Sequence, residues 1–149
     1  MKTQQMARLH AAAFAPERGW QPEEFENLLA SSKVHLFERA GGFALVQVVA
    51  DEAELLTLAV DPVYQRLGIA TTLMNAWMTS VTATEAFLEV AADNAPAQAL
   101  YHKHGFAITG RRARYYRRPD GSAVDAVLMR AALTHRQNAH LPPLNPKTG

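Results

Sequence analysis

The segment Leu55-Leu56-Thr57-Leu58-Ala59-Val60 constrains the fold more than any other. It is apolar on both faces and ends sharply at Asp61-Pro62. A strand with two apolar faces must be covered on both sides, so it lies in the middle of a sheet flanked by helices. A helical pattern, with Ile69, Leu73, Ala76 and Trp77 on one face, follows after the short loop Val63–Gly68.

The remaining punctuation fills in an α/β chain. Met6, Leu9, Ala13 and Phe14 recur at helical spacing, which predicts a helix over residues 3–14. Pro22 opens a second helix with Glu23 and Glu24 in its first turn. Val34–Phe37 and Phe43–Ala50 read as a hairpin turning at Gly41-Gly42, and Asp51-Glu52 reads as the next turn. Ala86–Ala91 reads as a strand, and Asp93-Asn94 as the start of a helix that stops at Gly105. Phe106–Tyr116 and Val124–Ala131 are strands joined at Asp120-Gly121. The 149 residues suit one domain, expected over 1–133, with a Pro-containing tail at 134–149.

Composition narrows the function. Zero Cys excludes disulfide scaffolds, Cys-ligated zinc and thiol nucleophiles. The six His show no metal spacing, and no metal is expected. No signal peptide and no apolar run of about 18 residues is evident, so a cytoplasmic protein without membrane contact is expected. The net charge of +1 hides a split. Residues 1–61 carry nine acidic and five basic side chains, a net of −4; residues 62–149 carry five and ten, a net of +5. A uniformly basic nucleic-acid binder would not look like this. The Arg run at 111, 112, 114, 117 and 118 reads as a solvated face, with a phosphate or nucleic-acid contact as the sharper alternative.

The loop Gln65-Arg66-Leu67-Gly68-Ile69-Ala70 joins a central strand to a helix start, where free N–H groups and a positive dipole favour an anion. Gly68 lets backbone approach a phosphate, and Arg66 can add a charge-assisted contact. A plain helix start is the competing reading. Walker and dinucleotide patterns are absent.

Here the chain resembles a known family. Gln-x-x-Gly-x-Ala after Val60-Asp61-Pro62 is similar to the acyl-CoA signature of the GNAT N-acetyltransferases. Leu88-Glu89-Val90, Asn94, Ala99-Leu100-Tyr101 and Gly105-Phe106 follow in that superfamily's order. Arg114-Tyr115-Tyr116 and Asp125-Ala126-Val127-Leu128-Met129 resemble the bacterial ribosomal-protein-alanine N-acetyltransferases. The resemblance covers residues 8–131. It implies a mixed, mostly antiparallel sheet with helices on both faces and acetyl-CoA as co-substrate. It also implies acetylation of a protein N-terminus, that of a ribosomal protein in the resembled subfamily, and a monomer or weak dimer is expected. Two departures stand out: the family's first edge strand is missing here, and the stretch between Gly68 and Glu89 is a few residues short.

The chemistry assigns roles to residues. An α-amine has a pKa of about 7.7–8.0 and a lysine about 10.4, so a lysine costs about 3.4 kcal/mol more to deprotonate. One carboxylate base without a metal suits the α-amine better. Glu89 alternates away from Leu88 and Val90, and the resemblance makes it the base; Glu54 is the reserve. The resemblance makes Tyr101 the acid that protonates the departing thiolate. It implies acyl-CoA contacts along Gln65, Arg66, Leu67, Gly68, Ile69, Ala70 and Thr71, and splayed strands whose gap admits the pantetheine arm. Leu58, Ala59 and Val60 would offer backbone to that arm, with Val60 as the oxyanion donor. Asn94 either caps its helix, binds the arm, or does both. Tyr115 and Tyr116, on opposite faces by strand alternation, offer one ring to the acceptor or form a packing pair. Open alternatives are a small-amine or lysine acceptor and a non-catalytic acyl-CoA-binding module.

Overall fold

A computed structural model describes residues 1–14 and 18–133. The expected tail at 134–149 lies outside the described residues. In chain order the elements are α1 (Thr3–Phe14), α2 (Pro22–Leu29), β1 (Val34–Arg39), β2 (Gly42–Val49), β3 (Glu52–Val60), α3 (Ile69–Ser80), β4 (Glu85–Ala91), α4 (Ala95–Lys103), β5 (Ala107–Arg117) and β6 (Ala123–Ala132). They build a six-stranded sheet in the order β1-β2-β3-β4-β6-β5. Among the described residues only the β3–β4 pair is parallel. Among the described residues α1 precedes β1 with no strand before it, and no helix is long and apolar enough to cross a membrane.

Alternation along β2 divides the core. Ala44 and Val46 face one way and join Leu73, Met74, Trp77 and Met78 of α3 and Tyr101 of α4. Phe43 and Leu45 face the other way, against Met6 of α1 and Phe25 of α2. The sheet is thus sandwiched, as the two apolar faces of β3 require. Gly42 permits this closeness, since a Cβ there would meet Ile69 Cγ2 at 2.9 Å and the Ala59 carbonyl at 3.1 Å.

One irregularity in β3 shapes everything downstream. Leu45 faces Thr57 and Val46 faces Leu55, so Leu56 has no opposite number. A residue inserted this way bends its strand. Leu56 and Thr57 consequently serve the same face: Leu56 packs with the α1–α2 cluster, and the Thr57 hydroxyl lies 3.0 Å from His10 Nε2 of α1. Pairing between β3 and β4 is confined to Glu52–Glu54 with Glu85–Phe87 and ceases just before the bulge. From there the two central strands part.

Buried His10 ties α1 to this bulge. Its Nδ1 accepts the Trp20 backbone N–H at 3.2 Å, so the proton sits on Nε2 and is donated to Thr57. Phe14 and Trp20 stack on the ring at 4.4 and 4.9 Å between centroids. Its pKa is pulled down to about 4, chiefly by burial, with the Glu24 charge working upward and the Arg18 charge downward by smaller amounts.

Candidate active site

The parting of β3 and β4 leaves the β4-facing edge of Leu55–Val60 without a strand partner. On the other edge Val60, Ala59 and Leu58 lie opposite Gly42, Phe43 and Ala44 of β2. The Asp61 N–H donates to the Gly41 carbonyl at 2.8 Å, toward β2. Backbone groups alternate between edges along a strand, so the N–H groups of Val60 and Leu58 point into the gap. They can bind an amide-bearing chain laid between the strands.

At the C-terminal end of β3 the chain makes a single 3₁₀ turn, Pro62–Tyr64, whose cap Asp61 accepts the Val63 N–H at 3.0 Å. The Tyr64 ring lies over Gly41, where a Cβ would come within 2.2 Å of it, and so fixes the turn to the β1–β2 hairpin. Arg66 and Gly68 both adopt left-handed backbone, at φ +68° and +78°. Gly68 is the N-cap of α3 and provides no side chain to its first N–H groups. The first backbone bond of the helix runs from Thr72 to Gly68, which leaves the N–H groups of Ile69, Ala70 and Thr71 for an external acceptor. A Cβ on Gly68 would meet nothing within 4 Å, so the space over the cradle is open. Gln65, Arg66 and Leu67 are exposed around it. The residues fit a diphosphate-bearing cofactor.

A cluster of titratable groups stands at the gap. Glu89 on β4 faces away from Leu88 and Val90, which belong to the α3–α4 core, and its side chain is only 19% exposed. Arg112 of β5 places Nε 2.7 Å from Glu89 Oε2. The oxygen is buried, and the contact lacks hydrogen-bond alignment. Glu54, half-buried at the last β3–β4 pair, has its pKa raised by burial and by the Glu89 charge, against the pull of Arg112. The Arg112 guanidinium carbon lies 5.5 Å from the Tyr115 ring centre, and Tyr115 meets Tyr116 edge to face at 5.1 Å. Tyr101, buried in α4 against Phe106, has its pKa raised by burial and then by Tyr116. Glu54, Glu89, Arg112, Tyr115, Tyr116 and Tyr101 thus form one connected chain of contacts and fields. Burial holds Tyr101 protonated, as a proton donor must be.

The structure corrects two expectations. Tyr115 and Tyr116 do not take opposite faces: the β5–β6 register is irregular between Arg112 and Tyr116, with Arg114 at φ +54°, and the two rings touch. The turn at Asp51-Glu52 ends sooner than expected, because β3 already begins at Glu52. The Arg run is a solvated face, with Arg111, Arg112, Arg114 and Arg117 exposed, and three of its members also find partners on other elements. Arg111 pairs with Asp125 at 3.4 Å, Arg112 with Glu89, and Arg118 with both oxygens of Asp93 at 2.6 and 2.8 Å. Asn94 caps α4 through the Ala97 N–H at 3.2 Å. Sequence reasoning missed Gln98, whose amide donates to the Ala91 and Ala92 carbonyls and fastens α4 to the end of β4.

Comparison with known proteins points to one family. The model of the acetyltransferase (GNAT) family matches residues 5–106. The chain is 35% identical over 136 residues to the N-alpha-acetyltransferase RimI of Mycobacterium tuberculosis, covering 85% of this chain and 84% of that one. It is 36% identical over 127 residues to a Salmonella typhimurium [ribosomal protein bS18]-alanine N-acetyltransferase, covering 82% of each. The solved structure of the Escherichia coli ribosomal-protein-S18-alanine N-acetyltransferase superposes with a TM-score of 0.78 at 30% identity, over 88% of this chain and 87% of that one. With that family model matched over more than half of its length and a relative 35% identical over 84% of the relative's own length, this chain belongs to the GNAT family of N-acetyltransferases.

Proposed function

We propose that this enzyme transfers the acetyl group of acetyl-CoA to the N-terminal α-amine of a protein, with Glu89 as base and Tyr101 as acid. The observation that carries this reading is the position of Glu89, a nearly buried carboxylate on the β4 side of the gap, in contact with one cation. The relatives bearing ribosomal-protein-alanine and N-alpha names support a ribosomal protein N-terminus as the acceptor.

Acetyl-CoA supplies an activated thioester. The N–H groups of Ile69, Ala70 and Thr71 and the Arg66 guanidinium hold its diphosphate, with Gln65 and Leu67 beside it. Leu58, Ala59 and Val60 hold the arm by their backbone, and the Val60 N–H stabilises the charge that builds on the acetyl oxygen. Asn94 serves this site by capping α4, which carries Tyr101. Glu89 takes a proton from the acceptor ammonium, and the neutral nitrogen forms the new C–N bond as the C–S bond breaks. Tyr101 gives its proton to the leaving sulfur, the new amide nitrogen sheds its remaining extra proton to water, and water returns a proton to Tyr101 as Glu89 releases the one it took. Glu54 keeps a second carboxylate near the amine, and Tyr115 and Tyr116 wall the acceptor side. The half of the chain with net −4 contributes α1, α2 and Glu54, and suits a cationic N-terminus.

Thiol release from acetyl-CoA tests this. N-terminal peptides are expected to drive turnover in the wild type, and Glu89→Gln and Tyr101→Phe to abolish or severely slow it. Full activity in either variant overturns the assignment, and tight acetyl-CoA binding without transfer to any amine would point to a binding module.

A further inference from the structure

Arg112 is the group that the mechanism above does not use. It arrives at Glu89 from β5, at the point where the β5–β6 ladder loses register. The loop beyond it is held in shape by Asp125, whose carboxylate accepts the Arg114 N–H at 2.9 Å. Arg112 places Nε 2.7 Å from a buried oxygen of Glu89, out of hydrogen-bond alignment. Its side chain is 57% exposed and has room to leave. The Tyr115 ring, 5.5 Å from the guanidinium carbon, offers the cation a second resting place.

We propose that Arg112 is a positioning residue that occupies the seat of the acceptor ammonium on Glu89 and gives it up when the acceptor binds. This rests on Glu89 being the base. A primary ammonium is compact and carries three donors, so it can meet Oε2 in line where the Arg112 Nε cannot. Until then Arg112 neutralises a carboxylate that would otherwise face Glu54 unpaired. The groups that set this balance are Glu54 from β3, Glu89 from β4, Arg112, Tyr115 and Tyr116 from β5, and Tyr101 from α4. Arg112 opposes the upward pull on Glu54 exerted by burial and by Glu89.

The test uses the full chain labelled with ¹⁵N-arginine, saturated with CoA so that no transfer occurs. The Arg112 Nε signal is assigned by its loss in Arg112→Lys. A saturating peptide with a free α-amine is expected to move that signal, and the same peptide with its N-terminus acetylated is expected to leave it in place. A signal unmoved by the free amine, or moved equally by both peptides, overturns the proposal. Kinetics give a second readout. Arg112→Met is expected to lower the peptide KM about threefold at pH 8.5 and to move the acid limb of kcat/KM up by about one pH unit. Arg112→Lys is expected to restore the limb. Loss of kcat with the limb unmoved indicates a merely structural role and refutes the proposal. Glu89→Gln would still be inactive in that case, so this failure is distinct from failure of the base assignment.

Discussion

Acidification should loosen the α1 side of the molecule through a single residue, His10. The ring is 4% exposed, accepts the Trp20 N–H on one nitrogen and donates to Thr57 from the other. It titrates near 4 in the folded protein against 6.5 when free. A folded-state value below the free value means that the unfolded chain binds the extra proton first. Stability is therefore intact above about pH 6.5 and is lost as pH falls toward 4. Proton linkage with these two values gives a loss of about 2 kcal/mol at pH 5 and about 3 kcal/mol at pH 4. Urea unfolding at pH 7, 6, 5 and 4 measures this, followed by the fluorescence of Trp20 and Trp77. Glu54, whose pKa burial and the Glu89 charge raise, also takes up a proton on acidification, so the His10→Gln variant is run alongside. The difference between the two proteins isolates the histidine. That difference should shrink by about 3 kcal/mol between pH 7 and pH 4. A difference independent of pH would refute the reasoning, for it would mean that His10 ionises in place at no cost.

Three further outcomes follow from the packing. Gly68→Val should raise the Kd for CoA at least about tenfold, or 1.4 kcal/mol, by calorimetry. It should cost only about 1–2 kcal/mol of stability, since a Cβ at φ +78° strains the backbone but meets no neighbour. Asn94→Ala should remove about 1 kcal/mol in urea unfolding by uncapping α4. Trp77→Ala should cost about 3–5 kcal/mol, because the ring is fully buried between α3 and the sheet and its Nε1 donates to Met74 Sδ at 3.3 Å.

The sequence reveals most of the secondary structure because local signals here agree with the tertiary ones. The helix over residues 3–14 is observed with those bounds, and Pro22 opens α2. β3 lies third of six strands, as its two apolar faces demand. Gly41, Gly68, Gly105 and Gly121 all sit where positive φ ends or turns an element. What escaped was long-range. The unopposed Leu56 leaves no mark in an unbroken apolar run, yet it bends β3 beside the point where pairing with β4 ends. Strand alternation misplaces Tyr115 and Tyr116 because Arg114 breaks the pleat. The Arg run looks like one solvated stripe, but its partners Asp93, Glu89 and Asp125 come from other elements. His10 looked like any residue of an amphipathic helix, and its two partners lie 10 and 47 positions away.

The proposed reaction stands or falls on which amine is acetylated. One peptide carrying both a free N-terminal α-amine and an internal lysine, incubated with acetyl-CoA and the enzyme, lets the two compete within a single molecule. Fragmentation mass spectrometry then places the acetyl group. Acetyl is expected on the α-amine with the wild type and on neither amine with Glu89→Gln. Acetyl on the lysine side chain, or α-acetylation undiminished in the variant, would contradict it.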